Sequence, residues 1–133
     1  MEPDRKISVT YMSGPQDGKI LRFEQPVARK EIVLNIGRRE GCDIYVPGDN
    51  QVSRLHARLG CVSLPVSSDA GDTSQLLTFW LEDAGSRNGT YIEKDAEPIK
   101  GRSNLRPGAL FRIGRTWLRL DAPLSFEDDG SLF

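Results

Sequence analysis

Apolar residues in this chain recur at every second position, in short runs that Gly, Pro, Asp and Asn interrupt. Strands point successive side chains to opposite faces, so a period of two with frequent turn residues confines the chain to an all-β fold. Ile7-Ser8-Val9-Thr10-Tyr11 alternates cleanly and runs into a turn cluster, Ser13-Gly14-Pro15-Gln16-Asp17-Gly18. Extended chain resumes over residues 19–23, and 31–36 (Glu-Ile-Val-Leu-Asn-Ile) is a β-branched run closed by Gly37. Residues 43–46 are short and stop at Pro47-Gly48-Asp49-Asn50, a strong turn signal. The two longest strands are expected over 56–64 and 75–81. Residues 65–74 between them are too polar for a core and predict a mobile surface hairpin. Further strands are expected over 90–93, 97–100, 110–113 and 116–121, whereas no stretch carries the period of an amphipathic helix. Many short strands at close spacing imply a β-sandwich or a barrel.

A chain of 133 residues holds one ordinary core, and 38% apolar against 28% charged residues is enough to pack it rather than leave the chain disordered. Eighteen Lys and Arg face nineteen acidic residues. That balance argues against a bulk binder of nucleic acid, whose affinity comes from many uncompensated cations, and leaves room for one local basic pocket. Cys42 and Cys61 make neither a disulfide framework nor a Cys-x-x-Cys pair. With a single histidine there is no zinc signature, so no metal or cofactor is expected. The charged start is followed by no apolar signal core, and no run approaches a membrane span. A cytoplasmic setting, or a nuclear one in a eukaryote, away from membranes is the simplest expectation. The ending 125–133 is acidic with isolated aromatics and is expected to be a flexible tail.

Gly14 to Lys19 has the look of a phosphate loop but is one residue short between its glycines, and Ile20 stands where a Mg²⁺-binding hydroxyl belongs. Asn88-Gly89-Thr90 matches a glycosylation sequon without a secretory signal to make it relevant. Ser53, His56 and Asp83 could form a hydrolase relay, but Ser53 lacks a Gly-x-Ser-x-Gly elbow and nothing marks an oxyanion hole. What survives is a set of three segments at strand ends: Gly37-Arg38-Arg39, then Ser53-Arg54-Leu55-His56-Ala57, then Gly85-Ser86-Arg87-Asn88-Gly89-Thr90. Arginine outnumbers lysine thirteen to five, and no lysine falls in these segments. A planar guanidinium fork, a serine hydroxyl and an asparagine amide suit a phosphomonoester better than a diffuse polyanion. Each segment alone would pass for a tight turn; all three in order on an all-β chain point to a site.

The ordered set resembles the signature of forkhead-associated (FHA) domains, as does the closing Leu105-x-x-Gly108 followed by Phe111-Arg112-Ile113-Gly114. The resemblance spans about residues 7–121, inside a domain expected over 1–124. It implies a two-sheet β-sandwich of about eleven strands whose loops at one end bind a phosphothreonine peptide, with no catalytic role. Arg38 and Ser53 would hold phosphate oxygens, Arg54 and Arg87 would add donors at the rim, and Asn88 would bond the peptide main chain. His56 would brace the Ser53 loop, with Gly37 and Gly89 shaping the backbone. Preference for phosphothreonine over phosphoserine, and a place in a Ser/Thr kinase pathway, are likewise implied. The chain departs from the family pattern at Glu93-Lys94-Asp95, where many members have Asn-Gly, and at Gly108-Ala109, where many have Gly-Asp. A rival expectation is an interaction module that meets an unphosphorylated partner through a sheet face.

Overall fold

The alternating runs become strands because each can bury one face against a second sheet. The computed structural model describes residues 6–27, 29–67 and 73–122. Ten strands form among them: β1 (Ile7–Tyr11), β2 (Ile20–Phe23), β3 (Glu31–Gly37), β4 (Ile44–Tyr45), β5 (Ala57–Ser67), β6 (Thr73–Asp83), β7 (Thr90–Ile92), β8 (Arg102–Leu105), β9 (Leu110–Ile113) and β10 (Thr116–Asp121). They make two five-stranded sheets, ordered β2-β1-β10-β9-β7 and β4-β3-β5-β6-β8. The expected sandwich is present, with ten described strands against the eleven or so that the resemblance implied.

Strand β10 shows the rule most clearly: Thr116, Leu118 and Leu120 are buried while Trp117, Arg119 and Asp121 are only partly so. Leu118 and Leu120 join Val9, Tyr11, Phe111 and Ile113 of the same sheet in one core with Ile36, Leu59, Phe79 and Leu81 of the other. The Tyr11 hydroxyl donates to the Tyr45 carbonyl, which ties the first sheet to the short β4. Cys42 and Cys61 are both buried free thiols. Burial, with the Glu31 charge added, pushes the Cys61 thiol up to about 12, so it packs as a small hydrophobe.

Two elements differ from the sequence reading. Residues 97–100 are not a strand: Ile99 donates its N–H to the Thr90 carbonyl (2.8 Å) and closes a connection instead. The strand falls on Arg102–Leu105, which pairs with β6 from Phe79↔Leu105 to Glu82↔Arg102. Its polar Arg-Ser-Asn start carries no hydrophobic signal, and only Leu105 is buried. The expected hairpin at 65–74 does form, but pairing continues along it as far as Ser67↔Thr73. Its tip, and with it the expectation of mobility there, lies outside the described residues, as does the acidic ending. At the departure from the family pattern, Glu93 takes a φ of 54° and its carboxylate accepts the Leu110 N–H (3.0 Å). A left-handed conformation that Asn or Gly adopts cheaply is held here by a side-chain bond.

One buried carboxylate fastens the turn after β4 to the β9–β10 turn. Asp49 accepts the N–H groups of Gln51 (3.0 Å) and Arg115 (2.8 Å) and the hydroxyl of Thr116 (2.7 Å). Burial by itself would raise its pKa. The Thr116 hydroxyl, the two N–H donors and the Arg115 charge outweigh that and hold it below the ordinary 3.8. A carboxyl depressed in this way adds stability above its unfolded pKa, and the contribution fades as pH falls through the lower folded value. Replacing Asp49 by Ala, which orphans a buried hydroxyl, should cost about 2–4 kcal/mol in a denaturant titration at pH 7. The gap between wild type and variant should narrow as the titration is repeated below pH 3.8; a gap that stays constant would mean that Asp49 is not ionised in the fold.

Candidate functional site

Strands β3, β5 and β6 end, begin and end at one edge of the sandwich, and the three segments singled out in the sequence occupy the loops there. The first two lie side by side. Arg38 donates its N–H to the Ser53 carbonyl (3.0 Å), Arg39 to the Arg54 carbonyl (3.2 Å), and His56 to the Ile36 carbonyl (2.8 Å). This ladder brings the backbones so close at Gly37 that a Cβ there would stand 2.0 Å from the Arg54 carbonyl oxygen. Only glycine fits.

The third loop is joined to them through His56, which is fully buried. Its Nδ1 accepts the Ser53 N–H (2.9 Å), and its Nε2 lies 2.8 Å from the Gly89 carbonyl. A nitrogen that accepts an N–H carries no proton, so the neutral ring holds its proton on Nε2 and donates it to Gly89. The same geometry disposes of the hydrolase relay, because neither ring nitrogen remains for the Ser53 hydroxyl.

Asp83, at the end of β6, shapes the third loop from within. It accepts the N–H groups of Gly85 (3.0 Å) and Ser86 (2.8 Å) and the hydroxyls of Ser86 (2.5 Å) and Thr90 (2.6 Å). Burial would raise its pKa, but the Ser86 and Thr90 hydroxyls and the two N–H groups bring it below 3.8. The Ser86 oxygen in turn accepts the Gly89 N–H (2.9 Å). Gly89 itself has a φ of 86°, and a Cβ there would press on Pro98 at 3.1 Å.

The outcome is a polar hollow of about 240 Å³ lined by Arg38, Ser53, Arg54, Arg87 and Asn88, which are the five expected ligand residues, together with Asn50, Gln51 and Val52. None of its lining residues is acidic. Arg38 is oriented by its Nε, which donates to the Val52 carbonyl (2.9 Å) and leaves both Nη groups without a partner among the described residues. The Ser53 oxygen accepts the Arg87 N–H (3.1 Å), so the hydroxyl proton is available to a ligand. Arg54 and Arg87 are exposed, and neither makes an ion pair among the described residues. Chemically the hollow is a set of convergent donors with no competing carboxylate, which suits an oxyanion.

The expected support residues, Gly37, His56 and Gly89, lie behind this surface. Asn88 differs in one respect from its expected role: its Nδ2 donates to the Gln51 carbonyl (2.9 Å), so half of its amide already holds the second loop. Its Oδ1 is the half left to accept from a ligand. The sequence marked Pro47-Gly48-Asp49-Asn50 as a turn, and the structure brings Asn50, Gln51 and Val52 into the wall of the hollow. The sequence reading weighed Asp83 only for a relay that it set aside; in the structure Asp83 gathers the donors of the third loop.

Among curated proteins none matches the chain significantly by sequence. Solved structures do match in fold. An FHA domain of an Arabidopsis thaliana hypothetical protein gives a TM-score of 0.65 at 20% identity, covering 90% of this chain and 87% of that one. The FHA domain of the CT664 protein from Chlamydia trachomatis gives 0.62 at 21%, covering 90% and 99%. A MEK1 FHA domain in complex with a HOP1 phosphothreonine peptide gives 0.62 at 14%, covering 89% and 97%. The family model for the FHA domain matches residues 34–114, a span that contains all three loops and the hollow between them. This chain therefore belongs to the FHA domain family.

Proposed function

We propose that this domain is a reader of phosphothreonine: it docks partner proteins that a Ser/Thr kinase has modified, and it catalyses nothing. The observation that carries the reading is the convergence of Arg38, Ser53, Arg54, Arg87 and Asn88 on one hollow free of acidic side chains. In the bound state the unpartnered Nη groups of Arg38 and the Ser53 hydroxyl take the phosphate oxygens. Arg54 and Arg87 contribute charge at the rim. The Asn88 Oδ1 accepts a main-chain N–H of the ligand and orients it. A preference for phosphothreonine over phosphoserine follows the family resemblance; Val52, the one apolar residue of the wall, is itself buried in the core.

Affinity should be micromolar, roughly −7 to −9 kcal/mol. Calorimetric titration with one peptide in phosphothreonine, phosphoserine and unmodified forms, drawn from a degenerate pool, should give saturable heat with the first, weaker binding with the second and none with the third. Heat from the unmodified pool alone would instead support a phosphate-independent sheet-face interaction. Arg38→Ala removes a pre-oriented charge-assisted donor pair and should weaken binding by about 2 kcal/mol, roughly thirtyfold. Arg87→Ala, at a side chain with no such anchor, should cost less, and equal losses would contradict these roles.

Binding should also fall as pH drops through the second phosphate pKa, about 6, because the monoanion offers one charge to the same donors. An affinity that stays level down to pH 5 would rule out the dianion as ligand. Gly37→Ala forces the Arg54 backbone away from β3 and should lower both the melting temperature and phosphopeptide affinity; a variant with native affinity would show that the loop spacing is not what forms the hollow.

A further inference from the structure

Four asparagines occur in the chain, at 35, 50, 88 and 104, and only Asn88 is followed by glycine. A glycine has no side chain to hinder its backbone nitrogen, which can therefore close on the Cγ of the residue before it. Asn88 is exposed to solvent and belongs to the lining of the hollow. Both reacting groups are engaged in the folded loop. The Gly89 N–H is donated to the Ser86 hydroxyl oxygen (2.9 Å), and the Asn88 Nδ2 to the Gln51 carbonyl (2.9 Å). Ser86 is itself locked, since its hydroxyl (2.5 Å) and its N–H (2.8 Å) are both donated to Asp83. The nucleophile and the leaving amide are thus each held by a bond of their own.

We propose that Asn88 is a self-modification site whose side chain closes on Gly89 and ends as a carboxylate in the hollow, and that Ser86 is the positioning residue that restrains it. The Gly89 nitrogen attacks the Asn88 Cγ and forms a new N–C bond. The bond from Cγ to Nδ2 breaks, and ammonia leaves with the proton that the Gly89 nitrogen gives up. Solvent water then opens the cyclic imide at either carbonyl, which leaves aspartate or isoaspartate at position 88. Either product removes the donor to the Gln51 carbonyl and sets a negative charge beside Arg38, Arg54 and Arg87, in a lining that has no acidic residue. Isoaspartate also lengthens the main chain just before Gly89, whose carbonyl His56 holds. A phosphate dianion then meets like charge in its own site. That consequence for binding rests on the phosphothreonine reading given above; the conversion itself does not.

The test incubates the full chain in mildly alkaline buffer, native and in urea, and follows position 88 by mass spectrometry after a brief digestion at slightly acidic pH. Trypsin cuts after Arg87 and Lys94, and residues 88–94 contain no other asparagine, so the mass gain of an amide becoming an acid is assigned directly. Conversion should be slow in the native chain, faster in urea, and faster still as pH rises. Ser86→Ala should speed native conversion about tenfold, the effect of one hydrogen bond on a barrier. Ser86→Thr, which keeps the hydroxyl, should restore the slow rate, and thermal melts check that both variants fold. Fluorescence anisotropy with a phosphothreonine peptide should show binding capacity falling in step with conversion, and Asn88→Asp should bind roughly tenfold more weakly or worse. No conversion even in urea overturns the site. Native conversion as fast as in urea, or a Ser86→Ala rate equal to wild type, overturns the restraint. Full conversion with affinity unchanged overturns the effect on the hollow. A fresh chain that binds no phosphothreonine peptide overturns the reading of the hollow instead, and the mass measurement still decides whether Asn88 modifies itself.

Discussion

The imidazole of His56 is the joint on which the loop end of this sandwich turns. It is buried in the sheet that carries β5, and its two nitrogens meet the backbone of two different loops, Ser53 on one side and Gly89 on the other. The neutral ring suits this work because it offers one acceptor and one donor at fixed geometry. Backbone bonds tie the Ser53 loop to the Arg38 loop, and the His56 ring carries that pair on to Gly89. The remaining cross-loop bonds, from the Arg87 N–H to the Ser53 hydroxyl oxygen and from Asn88 to the Gln51 carbonyl, lie nearer the surface and close over the joint. A buried polar ring is costly unless satisfied, and here satisfying it and building the hollow are the same act.

Two carboxylates extend the same logic to the loops' interiors. Asp83 gathers the donors of the 84–90 loop and Asp49 those of the 49–51 turn and the β9–β10 turn. Each collects main-chain and hydroxyl protons that would otherwise compete for, or crowd, a bound anion. These two acidic groups are thus turned inward on their own loops, and Arg38, Arg54 and Arg87 line the hollow. Net charge near zero and a cationic hollow coexist because none of the lining residues is acidic, while exposed carboxylates such as Asp17, Glu40 and Asp95 lie outside the lining.

Most of the sandwich was legible because its core strands alternate: β10 shows its buried and half-buried faces in the sequence itself. The pocket was legible for a different reason, namely that Gly37, Ser53, His56 and Gly89 stand in short segments whose spacing is set locally. What escaped was long-range or unpatterned. The bonds of Asp49 to Arg115 and Thr116 bridge 66 and 67 residues, and no local pattern announces such a partner. Strand β8 begins with three polar residues and is defined by pairing with β6, not by its own apolar content. The outer part of the β5–β6 hairpin reads as loop for the same reason, since Ser67 and Thr73 are joined by backbone bonds that composition does not encode.

That hairpin has a consequence for how the domain can be handled. Among the described residues, neighbouring chain accompanies it as far as Ser63, where Arg29 and Lys30 bond, and from Leu64↔Leu76 outward it proceeds as a two-stranded ribbon. Since β5 starts beside the hollow, ten residues of strand put the Ser67 end about 34 Å away from it. A fluorophore or an affinity tag attached at that outer end would report on tumbling and capture without intruding on ligand exchange. The sandwich thereby supplies its own insulated handle, opposite the surface whose occupancy one wishes to watch.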